Sequence, residues 1–191
     1  YPGVGYGGSC FPKDVKALIQ TATEQDYTPE LLKAVEEVNQ RQRELLAGKI
    51  RAYFENRGGL SGKTLAVWGL AFKANTDDIR YSAAIDIIRA VTGQGMHVRA
   101  FDPAAGANAE AAFSDNDRVT LCADPYETVK GADALAVLTD WNQFRNPDFS
   151  HIKRKLNNAM IFDGRNLYST DLLRRNGFSC IRVGRPAISG Q

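Results

Sequence analysis

Beyond residue 62 the sequence alternates short apolar runs with helix-length segments, and this alternation limits the possible folds more than any other feature. Six runs read as buried strands, at 63–70, 97–103, 119–124, 133–139, 159–164 and 179–184. Helices are predicted at 82–95, 125–132 and 169–177, and 140–156 is predicted to be helical or irregular. Strands joined by helix-length crossovers form parallel sheets with right-handed connections. The pattern predicts an α/β fold with a doubly wound, Rossmann-like parallel sheet.

The first 57 residues have a different, helical pattern. A helix is predicted over 12–23, because Pro12 suits a first helical position and Asp14 suits the positive end of the helix dipole. A second helix, opening at 28–30 and ending near residue 57, carries apolar residues at three- and four-residue steps along about 25 residues. This stripe comprises Leu31, Val35, Val38, Leu45, Leu46, Ile50, Tyr53 and Phe54. We therefore expect two domains, a helical segment over 1–57 and the Rossmann-like sheet over 58–191. A helix of this length indicates a subunit or domain interface, with a plain core helix as the alternative.

Composition excludes several classes of partner. The 191 residues hold 24 Lys and Arg against 22 Asp and Glu, a net charge of +2, which argues against nucleic-acid and membrane-surface partners. The sequence also lacks an apolar run of the roughly 20 residues that a membrane span needs. Its three cysteines are widely spaced without C-x-x-C pairs, so we expect no metal site, no disulfide framework and a cytoplasmic setting. The chain begins without Met, at what reads as the interior of a loop, and we expect a fragment.

Two nucleotide-binding motifs are tested and rejected. The segment GGLSGKT, residues 58–64, has too short a spacing for a P-loop, and its lysine precedes the strand that it should follow. The turn after the first strand, GLAFKANTDD, lacks the G-x-G-x-x-G fingerprint of a dinucleotide site. Ligands of doubly wound sheets bind at the carboxyl ends of the strands. The candidate positions are therefore 72–73, 102, 140 and 163–165.

A cysteine follows a glycine-rich stretch near the start of the chain. Cys10 lies two residues before Pro12, where free N–H groups of the helix, its dipole and Lys13 favour a thiolate. Asp14, one turn further on, could position a water or a lysine. The preceding glycines supply backbone that adopts positive φ and offers N–H groups at close range. These features indicate a nucleophilic cysteine, and the alternative is a tight glycine turn with an inert, buried Cys10. Cys122 and Cys180 lie in strands and are predicted to be core residues.

The chain carries the segments GYGGSCFPKD at 5–14, GLAFKANTDDIRYS at 69–82 and FDGRN at 162–166. Together they resemble the UDP-glucose/GDP-mannose dehydrogenase family. The first segment resembles the family's catalytic-cysteine signature, and the other two resemble its second and third signatures in the same order. The resemblance covers the C-terminal half of the family, whose N-terminal NAD-binding domain has no counterpart in this sequence.

The resemblance implies an NAD-dependent oxidation of a nucleotide sugar at C6 to a carboxylate. It implies that Cys10 attacks the intermediate aldehyde and that Asp14 supports hydrolysis of the resulting thioester. The sugar site would be lined by Tyr1, Gly3, Gly5, Tyr6 and Gly7. Phe72, Lys73 and Arg165 would hold the UDP-sugar, and Lys13 and Arg80 would face the NAD. Because the family's lysine base, threonine and glutamate have no counterpart here, the chain alone should not turn over.

Alternatives remain open for the substrate and for the function. The FPKD sequence after the cysteine favours UDP-glucose or GDP-mannose over N-acetylated sugars, and UDP-glucose is the first choice. A stand-alone nucleotide-binding module and a cysteine hydrolase are the other classes considered, and the hydrolase lacks an evident histidine partner for Cys10. The family is commonly dimeric, and with the apolar stripe this predicts a homodimer. For Lys73 and Arg165 the alternative is a solvated charge or a salt bridge to Asp77, Asp78 or Asp163.

Overall fold

The computed structural model of this chain describes residues 3–190. Two helices come first, α1 (Phe11–Glu24) and α2 (Glu30–Glu55), followed by a series of alternating strands and helices. The strands are β1 (Thr64–Trp68), β2 (His97–Phe101), β3 (Val119–Leu121), β4 (Ala134–Val137), β5 (Met160–Asp163) and β6 (Ser179–Arg182). The helices between them are α3 (Ala83–Thr92), α4 (Gly106–Ala112), α5 (Pro125–Thr128), α6 (Phe149–Lys155) and α7 (Thr170–Arg175), and a single 3-10 turn spans Asn142–Phe144.

All six strands form one parallel sheet in the order β3-β2-β1-β4-β5-β6. This is the strand order of the dinucleotide-binding Rossmann fold, in which the chain reverses direction across the sheet between β1 and β4. The central strands β1, β4 and β5 are buried on both faces, as the apolar runs predict. The predicted α/β, doubly wound fold is confirmed.

Two apolar cores cover the two faces of the sheet. One core combines α3 with the C-terminal half of α2, where Leu46, Ile50 and Phe54 pack against sheet residues such as Leu65 and Val67. The other core lies under α5, α6 and α7 and includes Trp68 and Phe178. The C-terminal half of α2 therefore belongs to the same packed unit as the sheet.

The apolar stripe of α2 is buried only over its C-terminal half, and this corrects the prediction of one continuous buried stripe. In the N-terminal half Leu31 is 78% exposed and Val38 is 55% exposed. α1 and the glycine-rich loop run beside this half of the helix, and they leave these apolar side chains uncovered. The same holds on α1, where Leu18 is 55% exposed.

The helix α4 was not predicted, although its sequence GANAEAA is rich in the strongest helix former. It lacks a capping side chain, and Ala109 is its only buried residue, so no apolar periodicity marks it. Within residues 3–190 no helix has the length and apolar character to cross a membrane. The same described range holds no cluster of three or more potential metal ligands.

Candidate active site

The glycine-rich loop, residues 3–10, is held against α2 by side chains of that helix. The buried Asn39 amide accepts from the Tyr6 N–H at 2.9 Å and donates to the Tyr6 carbonyl at 3.2 Å. Gln42 donates to the carbonyl of Gly3, and Val4 inserts its buried side chain into the core. A Cβ on Gly5, whose φ is +99°, would lie 2.8 Å from the Asn39 Oδ1 atom. Glycine at position 5 thus permits both the backbone turn and the close approach to α2.

The other side of the glycine-rich loop packs against the loop after β1, residues 69–82. Gly8 donates its N–H to the Arg80 carbonyl at 2.9 Å, and a Cβ on Gly8 would lie 2.8 Å from the Phe72 ring. A Cβ on Gly7 would overlap the Tyr81 carbonyl oxygen. Tyr81 has a positive φ of 51°, which is rare for a residue with a side chain. The second of the three motifs therefore forms the surface on which the cysteine-bearing loop lies.

Cys10 lies at the start of α1 and is exposed. Its carbonyl accepts the Asp14 N–H at 2.8 Å, but its side chain makes no capping hydrogen bond, and Sγ lies 3.7 Å from Ser9 Oγ. Lys13 pairs with the neighbouring Asp14 at 3.7 Å, and both side chains are exposed. The exposure contradicts the alternative of an inert, buried cysteine at this position. The thiol is placed where a ligand can reach it.

Arg80 and Asp78 form a paired charge in the same loop. The guanidinium donates from Nε and Nη2 to the two carboxylate oxygens, each at 3.0 Å. These hydrogen bonds lower the pKa of Asp78 and raise that of Arg80, and the nearby Cys10 adds a smaller electrostatic contribution to the raised pKa of Arg80. The Arg80 side chain is 68% exposed. It therefore remains available to an anion even though Asp78 pairs with it.

Arg165 lies where the glycine-rich loop meets the carboxyl ends of the strands. A Cβ on Gly3 would lie 3.2 Å from an Arg165 guanidinium nitrogen, and that guanidinium pairs with Asp140 at 3.1 Å. Arg165 thus forms a salt bridge, but its partner is Asp140 and none of the three carboxylates named as alternatives, Asp77, Asp78 and Asp163. The Asp163 carboxylate is fully buried, accepts the backbone N–H groups of Arg165 and Tyr168, and has a pKa raised by its burial.

Arg165 lines two cavities. The first is a largely apolar groove of about 690 Å³ between the glycine-rich loop and the N-terminal half of α2, with Gly3, Gly5 and Tyr6 on one wall. The second is a polar cleft of about 320 Å³ at the ends of β4 and β5. The predicted sugar-site residues Gly3, Gly5, Tyr6 and Arg165 are therefore brought together. Tyr1 lies outside the described residues.

The other predicted residues form a second group around the loop after β1. Gly7, Phe72 and Arg80 lie together there, next to Cys10. Lys73 is exposed, its ammonium lies 5.3 Å from the Phe72 ring centre, and within the described chain it has no ion pair with Asp77 or Asp78. Lys13 and Asp14 lie one turn into α1. The glycine-rich loop connects the two groups.

The turn after β1 is closed to a dinucleotide by the chain itself. The buried Asp102 carboxylate accepts the N–H groups of Leu70 and Ala71 at 2.7 and 3.1 Å, and a Cβ on Gly69 would overlap Thr139. In a dinucleotide-binding fold, backbone N–H groups of this turn face the pyrophosphate. An internal carboxylate takes that place here, so this sheet does not fit NAD at its own switch point.

Sequence reasoning missed two residues of α2, Asn39 and Arg43. Arg43 is buried, pairs with Asp86 on α3, and lies with its Cγ 3.0 Å from where a Gly5 Cβ would be. The sequence signal that could have identified them is a pair of polar residues one turn apart on the side of α2 that also carries the buried apolar residues. A buried polar side chain requires a partner, and here the partners are the glycine-rich loop and Asp86.

Two domains of one protein family match this chain. The UDP binding domain of the UDP-glucose/GDP-mannose dehydrogenase family matches residues 66–170, and the central domain of the same family matches residues 1–41. The chain belongs to the UDP-glucose/GDP-mannose dehydrogenase family.

Individual relatives are named as dehydrogenases of one nucleotide sugar. The UDP-glucose 6-dehydrogenase of Pseudomonas aeruginosa is 45% identical over 189 residues, which cover 97% of this chain and 41% of that protein. The UDP-glucose 6-dehydrogenase TuaD of Bacillus subtilis is 39% identical over 188 residues, 98% of this chain and 40% of the relative. The solved UDP-glucose dehydrogenase of Pyrobaculum islandicum superposes with a TM-score of 0.76 at 32% identity, covering 95% of this chain and 38% of that one. The chain thus spans about two fifths of the length of these relatives.

Proposed function

We propose that this chain forms the nucleotide-sugar-binding and cysteine-bearing part of an NAD-dependent UDP-glucose 6-dehydrogenase. One observation carries the proposal: the glycine-rich loop contacts Arg165 at its start and Phe72 near its end, and it presents Cys10 directly after these contacts. A sugar bound along the loop would lie between a phosphate-binding cation and an exposed thiol. The names of the relatives, UDP-glucose 6-dehydrogenases at 45% and 39% identity, favour UDP-glucose over GDP-mannose.

The nucleotide sugar would bind where Arg165 meets the glycine-rich loop, beside Gly3. The α2 wall of the groove, which holds Leu31 and Val38, is left to the proposed partner subunit. Arg165 and Lys73 are the cations assigned to its diphosphate, because guanidinium and ammonium groups form charge-assisted hydrogen bonds with phosphate oxygens. Gly3, Gly5 and Gly7 allow close approach of backbone to the sugar. Phe72 supplies an apolar contact beside Lys73. Tyr1 and Tyr6 complete the proposed sugar-binding set.

Cys10 is the proposed nucleophile. A first two-electron oxidation would convert the C6 alcohol of the sugar to an aldehyde. The Cys10 thiolate adds to this aldehyde and forms a C–S bond, giving a thiohemiacetal. After this adduct has been oxidised, Asp14 would orient a water molecule for attack on the thioester carbonyl. That attack breaks the C–S bond, releases the carboxylate product and returns the cysteine. Both side chains are exposed and one helical turn apart, which suits these consecutive roles.

NAD⁺ is the proposed hydride acceptor, and it would not bind in the turn after β1, where Asp102 occupies the backbone donors. In the proposed arrangement the cofactor binds elsewhere, and the exposed cations Lys13 and Arg80 of this chain face it. Turnover by the chain alone is therefore not expected, and a nucleotide-binding module without catalysis is the alternative.

The proposal includes an organisation into two domains and two subunits. Residues 1–57 are assigned to a helical domain and 58–191 to the nucleotide-sugar domain, although the end of α2 packs with the sheet. The uncovered apolar side chains of α2, Leu31 and Val38, favour a homodimer that buries them.

Calorimetric titration with UDP tests the proposal on three proteins. Loss of a charge-assisted contact to phosphate costs about 1.5–3 kcal/mol, so Arg165→Ala should weaken UDP binding about 10- to 150-fold. Arg80→Ala is the matched control, because it removes an arginine assigned to the cofactor side and should leave UDP affinity nearly unchanged. NAD⁺ should bind the parent chain more weakly than UDP. Tighter binding of NAD⁺ than of UDP, or an Arg165→Ala chain with the parent's affinity, would contradict the proposal.

A further inference from the structure

The polar cleft at the ends of β4, β5 and β6 has no part in the proposed reaction. Its walls comprise Asp140 after β4, residues 165–169 after β5, Arg185 after β6, and Arg145 at the end of the 3-10 turn. Its volume of about 320 Å³ is at the lower end of the range for small-molecule sites. The cleft lies at the carboxyl edge of the sheet, where doubly wound folds bind ligands.

The charge of this cleft favours an anion. Three arginines line it, Arg145, Arg165 and Arg185, against the single carboxylate of Asp140. Asp140 pairs with Arg165 at 3.1 Å and more loosely with Arg145 at 4.0 Å, so its charge is already balanced. Arg185 is exposed and forms no ion pair or hydrogen bond within the described residues. A narrow cleft with an excess of guanidinium groups attracts phosphate and binds it through paired hydrogen bonds.

The backbone frame of the cleft is held in place before any ligand arrives. The buried Asp163 carboxylate accepts the N–H groups of Arg165 and Tyr168 at 3.1 and 3.0 Å, which holds the segment after β5 in place. The buried Tyr168 hydroxyl donates to the Phe144 carbonyl at 2.7 Å and joins this segment to the turn that carries Arg145. A site on a preformed frame loses less conformational entropy when it binds its ligand.

We propose that this cleft is a second anion site, separate from the nucleotide-sugar groove, which binds a phosphate-bearing anion through Arg145, Arg185 and Arg165. Arg165 lines both cavities, so an anion in the cleft draws its guanidinium away from the groove. Binding at the two sites is therefore antagonistic, and the effect is reciprocal. The anion site is independent of the function proposed above, and only the antagonism rests on it.

Titration with inorganic pyrophosphate, followed by calorimetry on the whole chain, tests the site. Arg185→Ala and Arg145→Ala should each weaken pyrophosphate binding about tenfold or more. Arg174→Ala is the matched control, because Arg174 is an exposed arginine of α7 that does not line the cleft, and it should change the affinity less than about twofold. Thermal unfolding of each variant checks that the fold is retained.

Titration with UDP separates the two sites. UDP affinity should stay within about twofold in Arg185→Ala, and Lys73→Ala should weaken UDP binding but not pyrophosphate binding. Pyrophosphate should weaken UDP binding in the parent chain and much less in Arg185→Ala. Undetectable pyrophosphate binding, or equal pyrophosphate affinity in the parent and Arg185→Ala, overturns the site. If Arg185→Ala weakens UDP binding and pyrophosphate binding equally, the claim that the two sites are separate is overturned. If UDP fails to bind while pyrophosphate binding still depends on Arg185, the anion site stands and the proposed function fails.

Discussion

Replacement of Asn39 by alanine should release the glycine-rich loop without unfolding the sheet. The Asn39 amide is 6% exposed and makes two hydrogen bonds with the Tyr6 backbone, at 2.9 and 3.2 Å. Each bond contributes about 0.5–1.5 kcal/mol net, so the substitution should destabilise the docked loop by about 1–3 kcal/mol. This corresponds to an increase of about 5- to 150-fold in the equilibrium constant for loop opening.

Hydrogen exchange with mass-spectrometric detection measures this opening. The Gly8 N–H, bonded to the Arg80 carbonyl at 2.9 Å, is the reporter, and the peptide covering residues 3–10 should lose protection by the factor given above. Peptides covering β1 and β4 are internal references, because these strands are buried and should exchange as in the parent. Gln40→Ala is the matched control, since within residues 3–190 the exposed Gln40 side-chain amide bonds only to Glu44, at 2.7 Å.

Three results would refute this reasoning. Unchanged exchange of residues 3–10 in Asn39→Ala would mean that α2 does not hold the loop. An equal loss of protection in Gln40→Ala would mean that any change on this helix has the same effect. An equal loss in β1 and β4 would show global destabilisation rather than local release.

Three further outcomes are expected. Limited iodoacetamide should alkylate the exposed Cys10 before the half-buried Cys122 and the buried Cys180, and peptide mapping that found Cys10 no faster than the others would contradict its role. Burial raises the pKa of Cys180 to about 12 from an ordinary 9.0, so the unfolded chain ionises first. The free energy of unfolding therefore falls as pH rises above 9, by about 1 kcal/mol near pH 10. Urea titrations between about pH 8 and 10 should show a smaller fall in Cys180→Ala than in the parent chain. Light scattering should find a dimer that Leu31→Glu shifts toward monomer, and a monomeric parent at high concentration would count against the proposed interface.

The sheet could be predicted from the sequence because its signal is local and repeated. Each central strand is a continuous apolar run, and each run is followed by a segment long enough for a crossover. The helix α4 was missed because Ala109 alone is buried, and one small residue produces no periodic pattern. The partial exposure of α2 could not be predicted either, since a periodic apolar face indicates that a helix can be covered and not what covers it.

The residues proposed for the candidate site come from the sequence, and their arrangement comes from the structure. The glycine-rich loop and Cys10 were recognised from adjacent residues, and Arg165 from its position after a strand. The predicted partners of Arg165 were wrong, because the actual partner, Asp140, is 25 residues away along the chain. The order of the strands in the sheet brings the Asp140 carboxylate to 3.1 Å from the Arg165 guanidinium. Asn39 was missed for a similar reason, since it lies 33 residues from Tyr6 along the chain. Contacts of this kind depend on tertiary packing, which a single sequence does not display.

The helix α2 fixes the angle, around its own axis, between the side chain that holds the glycine-rich loop and the side chains that pack on the sheet. Its N-terminal half holds the glycine-rich loop through Asn39, while Leu46 and Ile50 are embedded in the core below. One residue inserted between these points would turn Asn39 by about 100° around the helix axis, away from the loop, and a deletion would turn it as far the other way. Even a four-residue insertion, which nearly restores the angle, would move the contact by about 6 Å along the axis. Insertions and deletions should therefore be tolerated in the turn beyond Glu55. Between Asn39 and Leu46 the number of residues is constrained as strongly as their side chains.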